Sequence, residues 1–106
     1  MNRQAQIDRF LLEAHRLAVA RLRARPERLA EASAVLKRWR DRAGATRSDA
    51  YWGEWEQLLG QGVDAVERAT CDGSDHAAVL RSVSPLIPLV SQKERAELLR
   101  GARVLA

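Results

Sequence analysis

A single cysteine, Cys71, means that no disulfide can form within the chain and that no cysteine-rich metal knot exists, which fits a reducing cytoplasm. The two histidines, His15 and His76, are far apart, and neither has a second histidine three or four residues on. Zinc-ligand spacing is therefore missing. The longest uncharged run, Ser82 to Gln92, is eleven residues with two prolines, too short to cross a bilayer. The N-terminal residues carry charge from position 3 onward and lack a secretory apolar core, so a cytoplasmic location without membrane attachment is expected. No glycine-rich phosphate loop, dinucleotide fingerprint or nucleophile elbow occurs. Carboxylates such as Glu54 and Glu56, two apart, cannot share a helix face, and Cys71 has no base at a telling distance. The expectation is a protein that is not an enzyme, with no catalytic residue, cofactor or metal.

Period-two alternation is also missing, so no strand is expected. What the chain does contain is helical periodicity in segments separated by breakers. Ile7, Phe10, Leu11, Ala14, Leu17, Ala18 and Leu22 mark a first helix, with Arg9, Arg16 and Arg23 on its water-facing side. Arg25-Pro26 interrupts it, and Pro26 suits the first turn of a second helix, Glu27 to Ala43, with Leu29, Ala32, Leu36 and Trp39 inward and Gly44 as a left-handed stop. So short a connection predicts an antiparallel hairpin. Ser48 is placed to cap a third helix carrying Tyr51, Trp52, Trp55, Leu58 and Leu59; Gly60 and Gly62 end it or kink it into a fourth, Val63 to about Ala69. Ser74 or Asp75 caps a fifth, and Ser91 with Glu94 forms a capping box for a last helix from Gln92 to about Val104. The reading is all-α: one compact domain over residues 1–106 with five to six helices, starting with the hairpin, and residues 1–5 disordered. Its core is expected on Phe10, Leu17, Leu36, Trp39, Trp55 and Leu80. His15 is expected at the core boundary and His76 at the surface.

Charge is unevenly spread. Residues 1–47 hold twelve Lys/Arg against five Asp/Glu; residues 48–106 hold six against nine. The basic half suits an acidic surface, either protein or nucleic acid. Arg38 and Arg42 on the second helix are candidate docking residues, and Arg23, Arg25, Arg28, Lys37 and Arg40 add cations around the helix ends. Phosphate contact, a possible weak nucleic-acid role, needs no more than this; sequence reading would need a recognition helix offered to base edges. A DNA-binding regulator using the basic hairpin is the alternative to a protein-binding module.

Between Leu80 and Leu99 lies a proline-braced corner. Ser84-Pro85 ends a helix near Val83, and Pro85 and Pro88 bracket Leu86 and Ile87, with Leu89 following. Apolar residues on so stiff a backbone lose little entropy on binding, so Leu86, Ile87 and Leu89 are candidate contacts, with Arg81 and Arg95 free on either side. Plugging the domain's own core is the competing role for the corner. Trp52 joins the candidates because tryptophan and arginine dominate binding hot spots.

The order of these features resembles a family of short bacterial antitoxin-like proteins. The matching positions are His15-Arg16; Pro26, Leu29, Ala32, Leu36, Arg38 and Trp39; Trp55, Leu58 and Leu59; then Leu80, Arg81, Ser84, Pro85, Leu86, Val90, Ser91, Glu94 and Arg95. The family resembles the MenA antitoxins paired with nucleotidyltransferase-fold toxins. The chain departs from the pattern at Leu86, where phenylalanine is common, and at Ile87-Pro88, where a small residue or glycine is usual. The resemblance implies an all-helical protein that binds a cognate nucleotidyltransferase-like toxin and blocks its transfer of nucleotides to tRNA.

Overall fold

Six helices follow one another in the computed structural model, which describes the backbone of residues 3–105 and the side chains of residues 3–103. They are α1 (Arg3–Ala24), α2 (Leu29–Ala43), α3 (Asp49–Gln61), α4 (Val63–Thr70), α5 (Asp75–Ser82) and α6 (Gln92–Leu105). Short 3-10 turns at Pro26–Arg28 and Ile87–Leu89 complete the order, and no strand occurs among the described residues. The all-α expectation holds. The expected disorder of residues 1–5 does not extend to residues 3–5, which are helical; residues 1 and 2 lie outside the described residues. Gln4 Nε2 donates to Asp8 Oδ1 at 3.0 Å, one turn on, and supports that first turn.

The breakers act as their chemistry dictates, with one exchange. Gly44, at φ 64°, ends α2, and its N–H returns to the Arg40 carbonyl at 3.2 Å. Gly62, at φ 108°, separates α3 from α4, whereas Gly60 stays within α3. Positive φ is cheap only for glycine; Gly62 adopts it and makes the break, while Gly60 keeps helical backbone. Ser74 caps α5 by accepting from Ala77 N–H at 3.1 Å. Ser48 makes no side-chain cap, because its helix starts from a turn in which Asp49 N–H reaches the Thr46 carbonyl at 3.1 Å.

The expected hairpin does not close. The buried residues Ala14, Ala18, Val19 and Leu22 lie on α1, which packs chiefly on α6, α4 and α5; α2 lies along α3 instead. The Pro26–Arg28 turn carries the chain from one packing to the other. Arg40 secures α2 to α3 through Glu56 at 2.6 Å and Asp49 at 3.5 Å. Arg23 ties α1 to α4 through Asp64 at 2.9 Å and Glu67 at 2.7 Å. Packing on α4, α5 and α6 together makes the first helix the axis of the domain.

Trp55 is the largest wholly buried side chain. Its Nε1–H donates to the Leu80 carbonyl at 2.9 Å, so an indole from α3 serves a carbonyl in the last turn of α5. Leu36, Trp55 and Leu80 are core as expected, and Leu17 packs against the core half-buried. Phe10 and Trp39 are not core residues: both are half-exposed. Trp39 lies on the inner side of α2 but near its end, where its ring meets Trp52 at 6.2 Å between centroids. Trp55→Ala is therefore expected to cost about 3–5 kcal/mol in urea unfolding, and Trp39→Ala only about 1 kcal/mol, the worth of an aromatic pair. Equal losses would contradict these placements.

Candidate partner-binding groove

The corner between α5 and α6 is stitched to the domain by its backbone carbonyls, which a non-helical chain leaves unpaired. Arg95 donates from Nε to Val90 O at 3.0 Å and from Nη2 to Ile87 O at 3.1 Å. Arg21, on α1, donates from Nη1 to Leu89 O at 2.7 Å and forms a forked ion pair with Glu94. Glu94 also accepts from Ser91 N–H at 2.8 Å while Ser91 Oγ accepts from Glu94 N–H at 3.1 Å, the expected capping box. The Arg21 guanidinium and the Ser91 N–H together hold the Glu94 carboxyl down to about 2.

This stitching reassigns most of the residues that the sequence offered as contacts. Leu86 is 0% and Leu89 4% exposed, so both plug the core and neither is available to a partner. Their burial follows from the Ser84 Oγ that accepts from Leu86 N–H at 3.0 Å and from the two 3-10 bonds that follow, which roll the corner inward. Arg81 and Arg95 are not free cations flanking the corner. Arg95 is spent on the corner's carbonyls, and Arg81 is 5% exposed with Nη1 donating to Thr70 O at 2.6 Å and Asp72 O at 2.9 Å. Ile87 and Trp52 are half-buried: each packs against the core and leaves part of its side chain at the surface. Arg38 and Arg42 are exposed and make no ion pair among the described residues.

A groove of about 450 Å³ gathers what is left. Trp39 and Trp52 form one wall, Ile87 and Pro88 another, and Arg81 and Arg95 are its only charged lining residues. Trp52 Nε1–H donates to Val83 O at 3.2 Å, which fixes that indole in place beside the broken end of α5. Past Leu11 and Ser82 the depression continues between α1 and α5. A second groove of similar volume between α2 and α3 is lined by Arg40, Asp41 and Glu56, whose Arg40–Glu56 pair already satisfies its main charges. The sequence pointed to Trp52, Ile87, Arg81 and Arg95 but missed Trp39 and Leu11. Trp39 carried one usable signal, its position at the end of α2 among Arg38, Arg40 and Arg42.

Below the groove lies His15, which is wholly buried and not a boundary residue. Its Nδ1–H donates to Leu11 O at 2.7 Å, its ring sits 6.3 Å from Trp55, and its Nε2 has no partner. A carbonyl accepts only, so the proton is on Nδ1 and the ring is neutral. Burial pushes His15 down to about 4; the Leu11 bond opposes it, and the Arg81 charge adds a lesser push in the same direction as burial. Cys71 is half-buried, and burial raises its thiol, so it stays protonated. His76 is exposed, as expected, and pairs with Glu54 at 2.8 Å. Among the described residues no group of His, Cys, Asp or Glu has the arrangement of a metal site, and no helix is long and apolar enough to cross a membrane.

Comparison with known protein families, curated proteins and solved structures returns no match to this chain.

The unfolded chain takes up a proton at His15 near its ordinary value of 6.5, the folded one only near 4. Above pH 6.5 the residue has no pH-dependent effect; below it, stability is lost until about pH 4. The loss is expected to total about 3 kcal/mol. Urea unfolding across that window should show a shallower slope for His15→Gln than for the parent; matching slopes would contradict a buried neutral His15.

Proposed function

We propose that this chain is an antitoxin-like protein-binding module, which inhibits a cognate nucleotidyltransferase-type toxin by direct contact through the Trp39–Trp52 groove. The resemblance to MenA-like antitoxins supports the partner's class. The observation that carries the reading is the groove itself: two partly exposed indoles, an isoleucine and a proline, with lining charges of one sign. Large flat side chains that bury much area with few rotors make effective anchors. Their positions are set by the Trp52–Val83 bond and by the Arg95 clamp on Ile87, so little ordering cost remains for binding.

The unpaired Arg38 and Arg42 supply the second element. Exposed cations beside an apolar anchor raise the rate of encounter with an acidic surface more than they lengthen the life of the complex. The same arginines favour the second reading, contact with nucleic-acid phosphates. Arg40 belongs to neither, because it is committed to Glu56 and Asp49.

The test is co-expression with a neighbouring nucleotidyltransferase-like gene, followed by binding of the purified pair. Trp39→Ala and Ile87→Asp should retain the helical circular dichroism of the parent, bind the toxin about thirty-fold more weakly or worse, as loss of a hot spot implies, and fail to protect cells. Arg38→Gln with Arg42→Gln should slow association and flatten its salt dependence while leaving dissociation nearly unchanged. Full protection by Trp39→Ala would contradict the groove. Binding to its own promoter that survives competitor DNA would favour the regulator.

A further inference from the structure

We propose that Arg81 is the anion receptor of the groove and that its ligand is a carboxylate on an apolar segment of the partner protein. This rests on reading the groove as the docking surface. A guanidinium that is 5% exposed ordinarily meets a carboxylate, because an unpaired buried charge is costly. Among the described residues Arg81 forms an ion pair with none: its Nη1 is held by two backbone carbonyls, and its Nε–H is buried without an acceptor. The nearby acid is Asp72, whose exposed carboxylate instead accepts from Ser74 N–H at 2.7 Å. His15 and the Cys71 thiol, the other titratable neighbours, are neutral and bring no counter-charge. Arg95 lines the same groove and adds to the positive potential.

The geometry also favours a carboxylate over a bare point charge. With Nη1 engaged and Nε–H buried without an acceptor, the unsatisfied donors of the guanidinium lie on its Nε–Nη2 side, whose two parallel N–H bonds match the two oxygens of a carboxylate once the side chains over Nε move aside. The groove that Arg81 lines is walled mainly by indole, aliphatic side chain and proline ring. An aspartate or glutamate next to a large apolar residue fits both requirements: the acid reaches Arg81 and its neighbour lies on Trp39 and Trp52. Pairing in this water-poor setting would give the partner a contact that neither group makes alone.

The full-length chain, labelled with nitrogen-15, is titrated with 3-phenylpropionate, its amide 3-phenylpropanamide and phenyl phosphate, while the Arg81 Nε–H and the Trp39 and Trp52 indole N–H signals are followed. The carboxylate should move all three signals and bind at least about tenfold more tightly than the amide, roughly the worth of one charge-assisted hydrogen bond. Arg81→Lys should abolish that preference. Comparing the two fragments on the unaltered protein keeps the test decisive if Arg81→Lys fails to fold. Equal movement of the indoles by acid and amide, with Arg81 unmoved, would overturn the receptor while leaving the groove as a docking surface. An Arg81 signal that follows only the protonation of His15 would overturn it too. Tighter binding of phenyl phosphate would transfer the site to a phosphate ligand and overturn the carboxylate. If no fragment moves any of the signals, both the receptor and the groove as a binding surface fail.

Discussion

The bond from the Trp55 indole to the Leu80 carbonyl is the constraint on which the rest of this domain depends. It fills the centre of the core and satisfies a carbonyl where α5 is about to break, so two demands are met by one side chain. One helical turn earlier on α3, Trp52 repeats the device at Val83 O. Two indoles thus receive the end of α5 and fix where the proline-braced corner begins. Arg21 and Arg95 then take the carbonyls of Ile87, Leu89 and Val90, and α6 can restart against α1. Apolar side chains at a non-helical corner are useful to the core only when the backbone carrying them is satisfied, and here arginines and tryptophans do that work.

Function, on this account, arises from what that scaffold leaves unfinished. Trp39 lies near the end of α2, beyond the packed part of its stripe, and meets Trp52 on one wall of the groove. Arg81 is drawn inside by the carbonyls of Thr70 and Asp72, yet no carboxylate among the described residues forms an ion pair with it. Both features cost the isolated protein some stability, and a partner that supplied an apolar residue and an acid would relieve both.

The helices and most of their boundaries were legible because periodicity, capping residues and breakers are local. Ser74, Ser91 with Glu94, Gly44 and the Ser84-Pro85 break acted as their chemistry implied. Tertiary choices were less legible. The spacing of Leu86 and Leu89 does not say whether a corner turns inward or outward; that depends on Arg21, sixty-eight residues from Leu89, reaching its carbonyl. In the same way, the stripe containing Trp39 gives no sign of where the packing helix stops. His15 looked like a boundary residue because imidazole is polar, but one backbone bond is enough to bury it neutral. The short Pro26 connection suggested a hairpin, whereas α4, α5 and α6 compete for α1 and prevail.

The division of labour among the three tryptophans is the central claim, and fluorine NMR of the chain labelled with 5-fluorotryptophan tests it most directly. In the free protein the Trp39 and Trp52 resonances should show a solvent isotope shift and the Trp55 resonance none. On adding the cognate toxin, Trp39 and Trp52 should move and lose that shift while Trp55 stays in place. A Trp55 resonance that reports solvent, or a toxin complex that leaves Trp39 and Trp52 unmoved, would contradict the account.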